Sequence, residues 1–589
     1  MKFKSMAALL LATLVLTGCS DKKTDEPEPV PPTPSVPEEP EKPADILDIP
    51  DKEGTNIKGV VYCDGKPLAD VVVSDGYAVA KTDEAGRFYI DSDKRFGYVF
   101  VSVPSGYMVK IDKGVFPQFY QNTLADRNTV EQINFELVRE PAESYVVMYL
   151  ADMHLAGRNQ DEEHYQNWFL RDIKALIKDY RDQGKNVYCM TLGDQSWNTY
   201  WYAADIPSPF TLTQTVPYIG MLETPCFNTM GNHDHDPMQA LDFEGENFYR
   251  REYGPTYYSF NLGKVHYVVL DNIIYDNSSG TLSDECYTAR LTPEQAAWLK
   301  LDLATLADKS TPVHVLMHSP LYEKPKLNAS GNPRYTFHQE DGKELAGILA
   351  GFNNVTFFTG HTHVNHSIVN PTYPNIREYN VAAVCATWWW TGKNEYPGNH
   401  ICRDGSVGGY RVVEVDGKNY RTYFKSIGYP ADYQFRTYDV NESRITAPAY
   451  CPNSSNSAIK REIEKLTGAS GATNTQGSNW HVENKNNEVA INIFAYDPRW
   501  KIEVTENGRR LEVTRENAYD PLHLISAMCY RLNLGGKISA TFKPSLQSHF
   551  FRVKASSATS TLEIRVTDQD GRVFTETMTR PKALDVNMK

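Results

Sequence analysis

The sequence predicts an α/β core of sheets with helices on their faces, a β-sandwich ahead of it and a second β domain behind it. Three observations carry the prediction. Short alternating apolar runs broken by Gly/Asp turns occupy residues 55–140, continuous apolar runs alternate with helical-period segments over 141–428, and alternating runs return over 429–589. Period-2 alternation marks half-buried strands, whereas continuous apolar runs between amphipathic helices mark strands covered on both faces. At roughly 100–200 residues per domain, the length accommodates three or four folding units.

Ahead of these units the chain reads as an export and tethering segment. Lys2 and Lys4 precede the apolar stretch Met6 to Leu16, which is too short to span a bilayer and has the layout of a secretory signal. The stretch ends in Leu16-Thr17-Gly18-Cys19, which resembles the bacterial lipoprotein box. That resemblance implies removal of residues 1–18, lipidation of Cys19, and a chain anchored to a membrane of the cell envelope, periplasmic or surface-exposed. An ordinary cleaved signal is the alternative. Residues 19–54, rich in Pro, Glu, Lys and Asp, read as an extended spacer.

Each unit is built from recognisable elements. In 55–140, IKGVVY, ADVVVSDG, RFYI and YVFVSV are strands of a small sandwich, and the segment resembles carboxypeptidase-regulatory-like modules. It lacks clustered His, Cys or acidic residues, which gives it a structural or positioning role. In 141–428, VVMYL, VYCMTL, Phe227 to Met230, YYSFNL, HYVVLD, VHVLM, VTFFT and NVAAVCAT are strands, with helices at Glu163–Gln183, Thr292–Leu306 and Lys343–Ala350. In 429–589, NEVAINIFA, KIEVTENG, RRLEVT, KISATF, HFFRVKA and TLEIRVTDQDGRVFTETM alternate as strands. A helical stretch and a Gly/Ser/Asn/Thr-rich loop separate Cys451 from Asn487.

Charge and cysteine content narrow the function. With 60 Lys+Arg against 74 Asp+Glu, the net charge is −14 and no basic run exists, so binding of a nucleic-acid duplex is not expected. An anionic substrate needs a locally positive site. The cysteines other than Cys19 are scattered without a CxxC, and their spacing demands no disulfide.

The chemistry sits where the core strands end. In chain order these ends carry Asp152-Met153-His154, Gly193-Asp194, Gly231-Asn232-His233-Asp234, His318 in MHSP, and Gly360-His361-Thr362-His363. Ligands of open α/β sheets bind beyond the carboxyl ends of the strands. Carboxylate and amide oxygens with imidazole nitrogens suit a borderline divalent metal, and the set is too large for one ion. Two ions about 3.5–4 Å apart can share a carboxylate, acidify a bridging water and grip phosphoryl oxygens. Asp-x-His alone carries no information; the five clusters in order do.

DMH, GDQSWN, GNHD, MHSP and GHTH together resemble the motif series of the calcineurin-like metallophosphoesterases. The resemblance implies a core of two-layered β-sheets flanked by helices, and phosphoester hydrolysis by a metal-bridging hydroxide. It implies one metal on Asp152, His154, Asp194 and His363 and a second on Asp194, Asn232, His318 and His361, the ions being Mn, Fe or Zn, divalent or trivalent. The resemblance makes His233 the proton donor or a transition-state stabiliser, oriented by Asp234, and an imidazole beside two cations does need a carboxylate to restore its basicity. His154 and Trp197 stand where the purple acid phosphatase branch has Gly and a ligand Tyr, which disfavours an iron–tyrosinate site. The carboxy-terminal segment resembles the β domain appended to exported members of this family, and it either covers the catalytic mouth or only stabilises.

The substrate class stays open between phosphodiester and phosphomonoester, on a small phosphorylated molecule. Trp388-Trp389-Trp390, with Arg334 and Tyr335 in the insertion after His318, either stack a sugar or base or cover the sheet edge. His266 and His314 read as core residues, while His235 and His366 are candidates for substrate contact. The alternative function is a catalytically inactive, glycan-binding surface lipoprotein.

Overall fold

The structure, a computed structural model, describes residues 45–586 apart from 125, 206–207, 281–285, 390–399, 453–456, 458–459, 462–479, 481, 527–532 and 534–542. The expected signal, Cys19 and most of the spacer lie outside the described residues, as do Trp390, the KISATF strand and most of the segment between Cys451 and Asn487. Among the described residues no helix is long and apolar enough to cross a membrane.

Two sheets form the core. In the first, Cys226–Phe227, Asn186–Thr191 and Ser144–Leu150 are parallel, and Gly409–Asp416 and Asn419–Ser426 extend it antiparallel. The second runs Tyr258–Leu262, Val265–Val269, Val313–Leu316, Val355–Thr359, Ile376–Asn380, His366–Val369, with its four central strands parallel. The sheets stack face to face: Tyr149 lies on Phe358 and Phe227 on Phe260, each with ring centroids 3.9 Å apart. Helices close the outer faces. Residues 161–182 bury Tyr165, Phe169, Ile173 and Ile177 with Val146, Met148 and Leu150. Trp298 and Leu299 of Pro293–Ala304 and Leu345 and Leu349 of Gly342–Leu349 belong to the core of the second sheet. Pro293 fits the first helical turn because its missing N–H has no acceptor there, and Thr292 caps the turn by accepting from the Gln295 N–H at 3.2 Å.

Several expectations need correction. The 161–182 helix contains a π-helical segment, Tyr165–Leu170, which side-chain periodicity does not reveal. The third strand stops at Phe227. NVAAVCAT leaves the sheet at Asn380, because its small apolar side chains are buried beneath the site loops, where the Cys385 thiol reaches the Asp152 carbonyl at 3.0 Å. The helix Leu212–Gly220 was hidden by Pro217; Thr211 and Gln214 form a capping box that starts it.

The flanking β units are fused to this core. Residues 57–139 form a six-stranded and a four-stranded sheet. Phe96 stacks on Tyr257 at 4.6 Å, Phe119 meets Tyr258 at 4.4 Å, and the Trp298 indole donates to the Ser74 hydroxyl at 3.1 Å. Such aromatic pairs add about 0.5–1.5 kcal/mol each beyond the area they bury. At the other end, two four-stranded antiparallel sheets enclose Val489, Ile491, Val504, Val553, Ile564 and Val566. This unit grips the insertion after His318: the Asn517 side chain accepts from Leu327 N–H at 3.2 Å and donates to Leu327 C=O at 3.1 Å.

Candidate metal centre

All five motif clusters follow the carboxyl ends of core strands, and the structure brings them together. The loops after Leu150 and Thr191 run side by side, with Asp152 N–H donating to Gly193 C=O at 3.2 Å and His154 N–H to Asp194 C=O at 3.0 Å. The motif glycines are required by this crowding. A Cβ on Gly231 would sit 2.3 Å from Asp194 Oδ1, and one on Gly193 2.4 Å from His318 Nδ1. Five of the seven expected metal ligands hold left-handed backbone: Asp152 (φ 54°), His154 (46°), Asp194 (54°), His361 (70°) and His363 (57°). Non-glycine residues persist there only when the surroundings over-determine them.

The donor atoms form two clusters that share one carboxylate. Asp152, His154, Asp194 and His363 offer atoms all within 4.8 Å of one another, as do Asp194, His318 and His361. In the first, His154 Nε2 lies 3.0 Å from His363 Nε2 and 3.5 Å from Asp194 Oδ2. In the second, His318 Nε2 lies 3.2 Å from that same Asp194 Oδ2, 2.9 Å from Asn232 Oδ1 and 3.1 Å from His361 Nδ1. In the second cluster the outward nitrogens are engaged, whereas His154 Nδ1 of the first is buried without a hydrogen-bond partner. His318 Nδ1–H donates to Leu192 C=O at 2.7 Å, which turns the Nε2 lone pair of the neutral imidazole inward, and His361 Nε2 meets the Tyr287 hydroxyl at 2.8 Å, which holds that ring with Nδ1 inward.

Lone pairs converging this closely repel unless a cation sits among them, and Asp194 Oδ2 is buried with no hydrogen-bond donor of its own. The charge balance runs the same way, the buried carboxylates drawing positive charge toward themselves. Burial works against a charged His318, yet the Asp194 carboxylate raises it to about 9. Burial opposes ionisation of Asp194 too, but the His318 and His233 imidazoles hold it well below the usual carboxylate range. The residues therefore fit a pair of cations in number, type and aim.

His233 lies at the edge of this cluster, its ring centroid 5.2 Å from that of His154. Its expected partner is corrected. His233 Nδ1 is 2.8 Å from Asn198 Oδ1, whereas the Asp234 carboxylate turns back to accept from Gly231 N–H and Ser196 N–H, each at 3.0 Å. Burial, then the nearby Asp194 charge, pushes the Asp234 carboxyl up to about 7. Asp234 fastens the GNHD loop to the GDQSWN loop, and Asn198 orients the imidazole. Asn198 is the N of GDQSWN, so a sequence signal for it existed; Tyr287 had none.

A cavity of about 530 Å³ opens on the centre, lined by Asp194, Asn232, His233, His361 and His363 on one side and by Lys324, Lys326 and Arg403 elsewhere. This is the locally positive site that an acidic chain needs for an anionic substrate. Ser545, from the carboxy-terminal β unit, also lines it, so that unit does reach the catalytic mouth. The tryptophans divide their roles. Trp389 is core, its indole donating to Met153 C=O at 2.8 Å, whereas Trp388 faces the cavity, stacked on Trp197 at 4.2 Å and edge-on to His154 at 3.9 Å. Trp197 is thus a wall beside His154, not a ligand. Arg334 belongs to a short hairpin, Lys326–Leu327 with Pro333–Arg334, whose first strand lies against the carboxy-terminal unit. His266 is structural, bonded to Asn261 Oδ1 and Asp302 Oδ2 at 2.9 Å each, and His314 is buried in the core. His235 is fully buried against Tyr275.

The sequence matches three family descriptions: N terminal of calcineurin-like phosphoesterase over residues 55–140, calcineurin-like phosphoesterase over 145–365, and C terminal of calcineurin-like phosphoesterase over 378–574. No curated protein matches the chain. Among solved structures, a dimetal phosphatase from Danio rerio is similar at 11% identity and a TM-score of 0.31, over 47% of this chain and 98% of that one. The sulfate thiohydrolase SoxB of Thermus thermophilus, in complex with glycerol, is similar at 12% identity and a TM-score of 0.28, over 49% of this chain and 57% of that one. Because the family matches follow one another from residue 55 to residue 574 and the central one contains all seven ligand-type residues, the chain belongs to the calcineurin-like phosphoesterase family.

Proposed function

We propose that this protein hydrolyses a phosphoester of a small molecule at a centre of two metal ions. The observation that carries the reading is the single oxygen, Asp194 Oδ2, that serves both donor clusters. Asp152, His154, Asp194 and His363 would hold one ion and Asp194, Asn232, His318 and His361 the other. Mn, Fe or Zn ions bound there supply Lewis acidity toward phosphoryl oxygens and toward the attacking water.

The remaining work belongs to the chain. His233 supplies a proton to the departing alkoxide, and Asn198 Oδ1 at its Nδ1 fixes the ring so that Nε2 is the nitrogen turned to substrate. Tyr287 holds His361 in the rotamer that aims Nδ1 inward. Trp388 and Trp197 exclude solvent from the His154 side of the centre. The glycan-binding alternative has less in its favour, because Trp389 is core and the inward-facing donor set is complete.

The test is metal removal. Chelator-treated protein is expected to lose hydrolysis of nitrophenyl phosphate or bis(nitrophenyl) phosphate, and two equivalents of Mn, Zn or Fe should restore it. Hydrolysis that persists in metal-free protein would refute the reading, and the ratio of the two rates reports monoester against diester preference.

We further propose that Cys19 is lipidated and anchors the chain in the cell envelope. Cys19→Ala is expected to abolish incorporation of labelled palmitate and to release the protein from the membrane fraction; equal labelling of the variant would exclude lipidation at Cys19.

A further inference from the structure

The donor clusters occupy only part of the cavity, whose volume of about 530 Å³ is that of a small-molecule site rather than of a lone phosphate. Lys324, Lys326 and Arg403 line the remainder, with Glu323 the one acidic side chain besides Asp194 among the lining residues. Among the described residues neither Lys324 nor Arg403 forms an ion pair: the Lys324 ammonium meets the Ser545 hydroxyl, and Arg403 Nε–H donates to Lys543 C=O at 2.8 Å. Ser545 N–H in turn donates to Arg403 C=O at 2.9 Å, so the carboxy-terminal unit ties the two cations together.

Two further donors lie close by. His366 and His549, each 5% exposed, have neither ring nitrogen in a hydrogen bond; the nearest carboxylate, Asp404, has Oδ2 3.8 Å from His549 Nε2 and accepts instead from Asn365 N–H and from the Ser406 N–H and hydroxyl. Burial, then the Lys324 charge, holds His366 down to about 3, so it is a neutral imidazole with an unspent N–H. Burial, with Arg403 and Lys326 adding to it, lowers Lys324 to about 8, which leaves it charged at neutral pH. Half-buried cations that have only neutral acceptors, and buried N–H groups that have none, are stabilised when an anion completes them. The metal ligands already provide for the scissile phosphate, so these groups answer to another charge.

We propose that Lys324 and Arg403 form a second anion subsite, and that the natural substrate carries, besides the scissile phosphoester, a further anionic group such as a carboxylate or a second phosphate. The inference rests on the phosphoesterase reading for the identity of the first group. It gives the carboxy-terminal β unit a task, because Ser545 holds Lys324 toward the cavity.

The test is calorimetric titration of the metal-loaded full chain with propylphosphonate and with 3-phosphonopropionate, which has an additional carboxylate. The doubly anionic compound is expected to bind at least tenfold more tightly, and Lys324→Met and Arg403→Met should each bring the ratio of the two affinities toward one. Ser545→Ala, a milder change that leaves both cations in place, should reduce the ratio in the same direction. Equal affinities in the unaltered protein, or a preference that survives both cation substitutions, would overturn the subsite. Protein that hydrolyses nitrophenyl phosphate without this preference retains the reading of function and loses the subsite. Protein with the preference but no hydrolysis does the reverse.

Discussion

Asp194→Asn is expected to remove bound metal and turnover together. The substitution keeps the side chain's shape but replaces an anion by a neutral amide. If its NH2 takes the Oδ2 position, two hydrogens point at His154 Nε2 and His318 Nε2, which lie 3.5 and 3.2 Å away. If it takes the other, it faces the His233 N–H that Asp194 Oδ1 accepts at 2.8 Å. The first orientation puts hydrogens where both clusters need an anionic oxygen, the second sets donor against donor at His233, and either one loses the charge of the carboxylate. Loss of an outer partner of a ligating histidine costs about 10–100-fold in affinity or activity, and loss of a shared ligand should exceed that. Metal stoichiometry by elemental analysis, with circular dichroism as the control for folding, reads the result. Full occupancy and undiminished rates would disprove the shared carboxylate.

His233→Ala should show a loss that depends on the leaving group. A positioned general acid contributes roughly 10²–10⁴-fold when the departing oxygen is basic. Alkyl phosphoesters need that proton, whereas nitrophenolate leaves nearly unaided, so the variant should be crippled toward the former and only mildly slowed toward the latter. Metal content should be unchanged, because the His233 ring belongs to neither donor cluster. A steeper dependence of rate on leaving-group pKa in the variant than in the unaltered protein is the measurable signature. Parallel losses across the series would count against proton donation.

Much of this was legible in the chain because strand ends are. Each ligand-type residue follows an apolar run by two to five positions, and a run of buried strands can only deliver its exits to one rim. Contacts made through space by residues far apart in sequence were not legible. Tyr287 reaches His361 and Ser545 reaches Lys324 from elements with no local sign of the encounter. The resemblance pairs Asp234 with its neighbour His233, but the short 3-10 turn Asn232–Asp234 sends successive side chains in different directions. The Trp388-Trp389 pair fails as a unit for a similar reason: adjacent residues with φ of 58° and 52° splay apart, one to the cavity and one to the core.

The left-handed backbone at five ligand positions sets activity and durability against each other. Conformations of that kind cost on the order of 1–3 kcal/mol apiece, somewhat less for aspartate and histidine, which tolerate them better than most residues. The chain is therefore most taut where it is most useful. Relaxing those positions, for instance by glycine, would favour a tougher but idle protein, and selection for heat resistance alone would erode the reactive rim first.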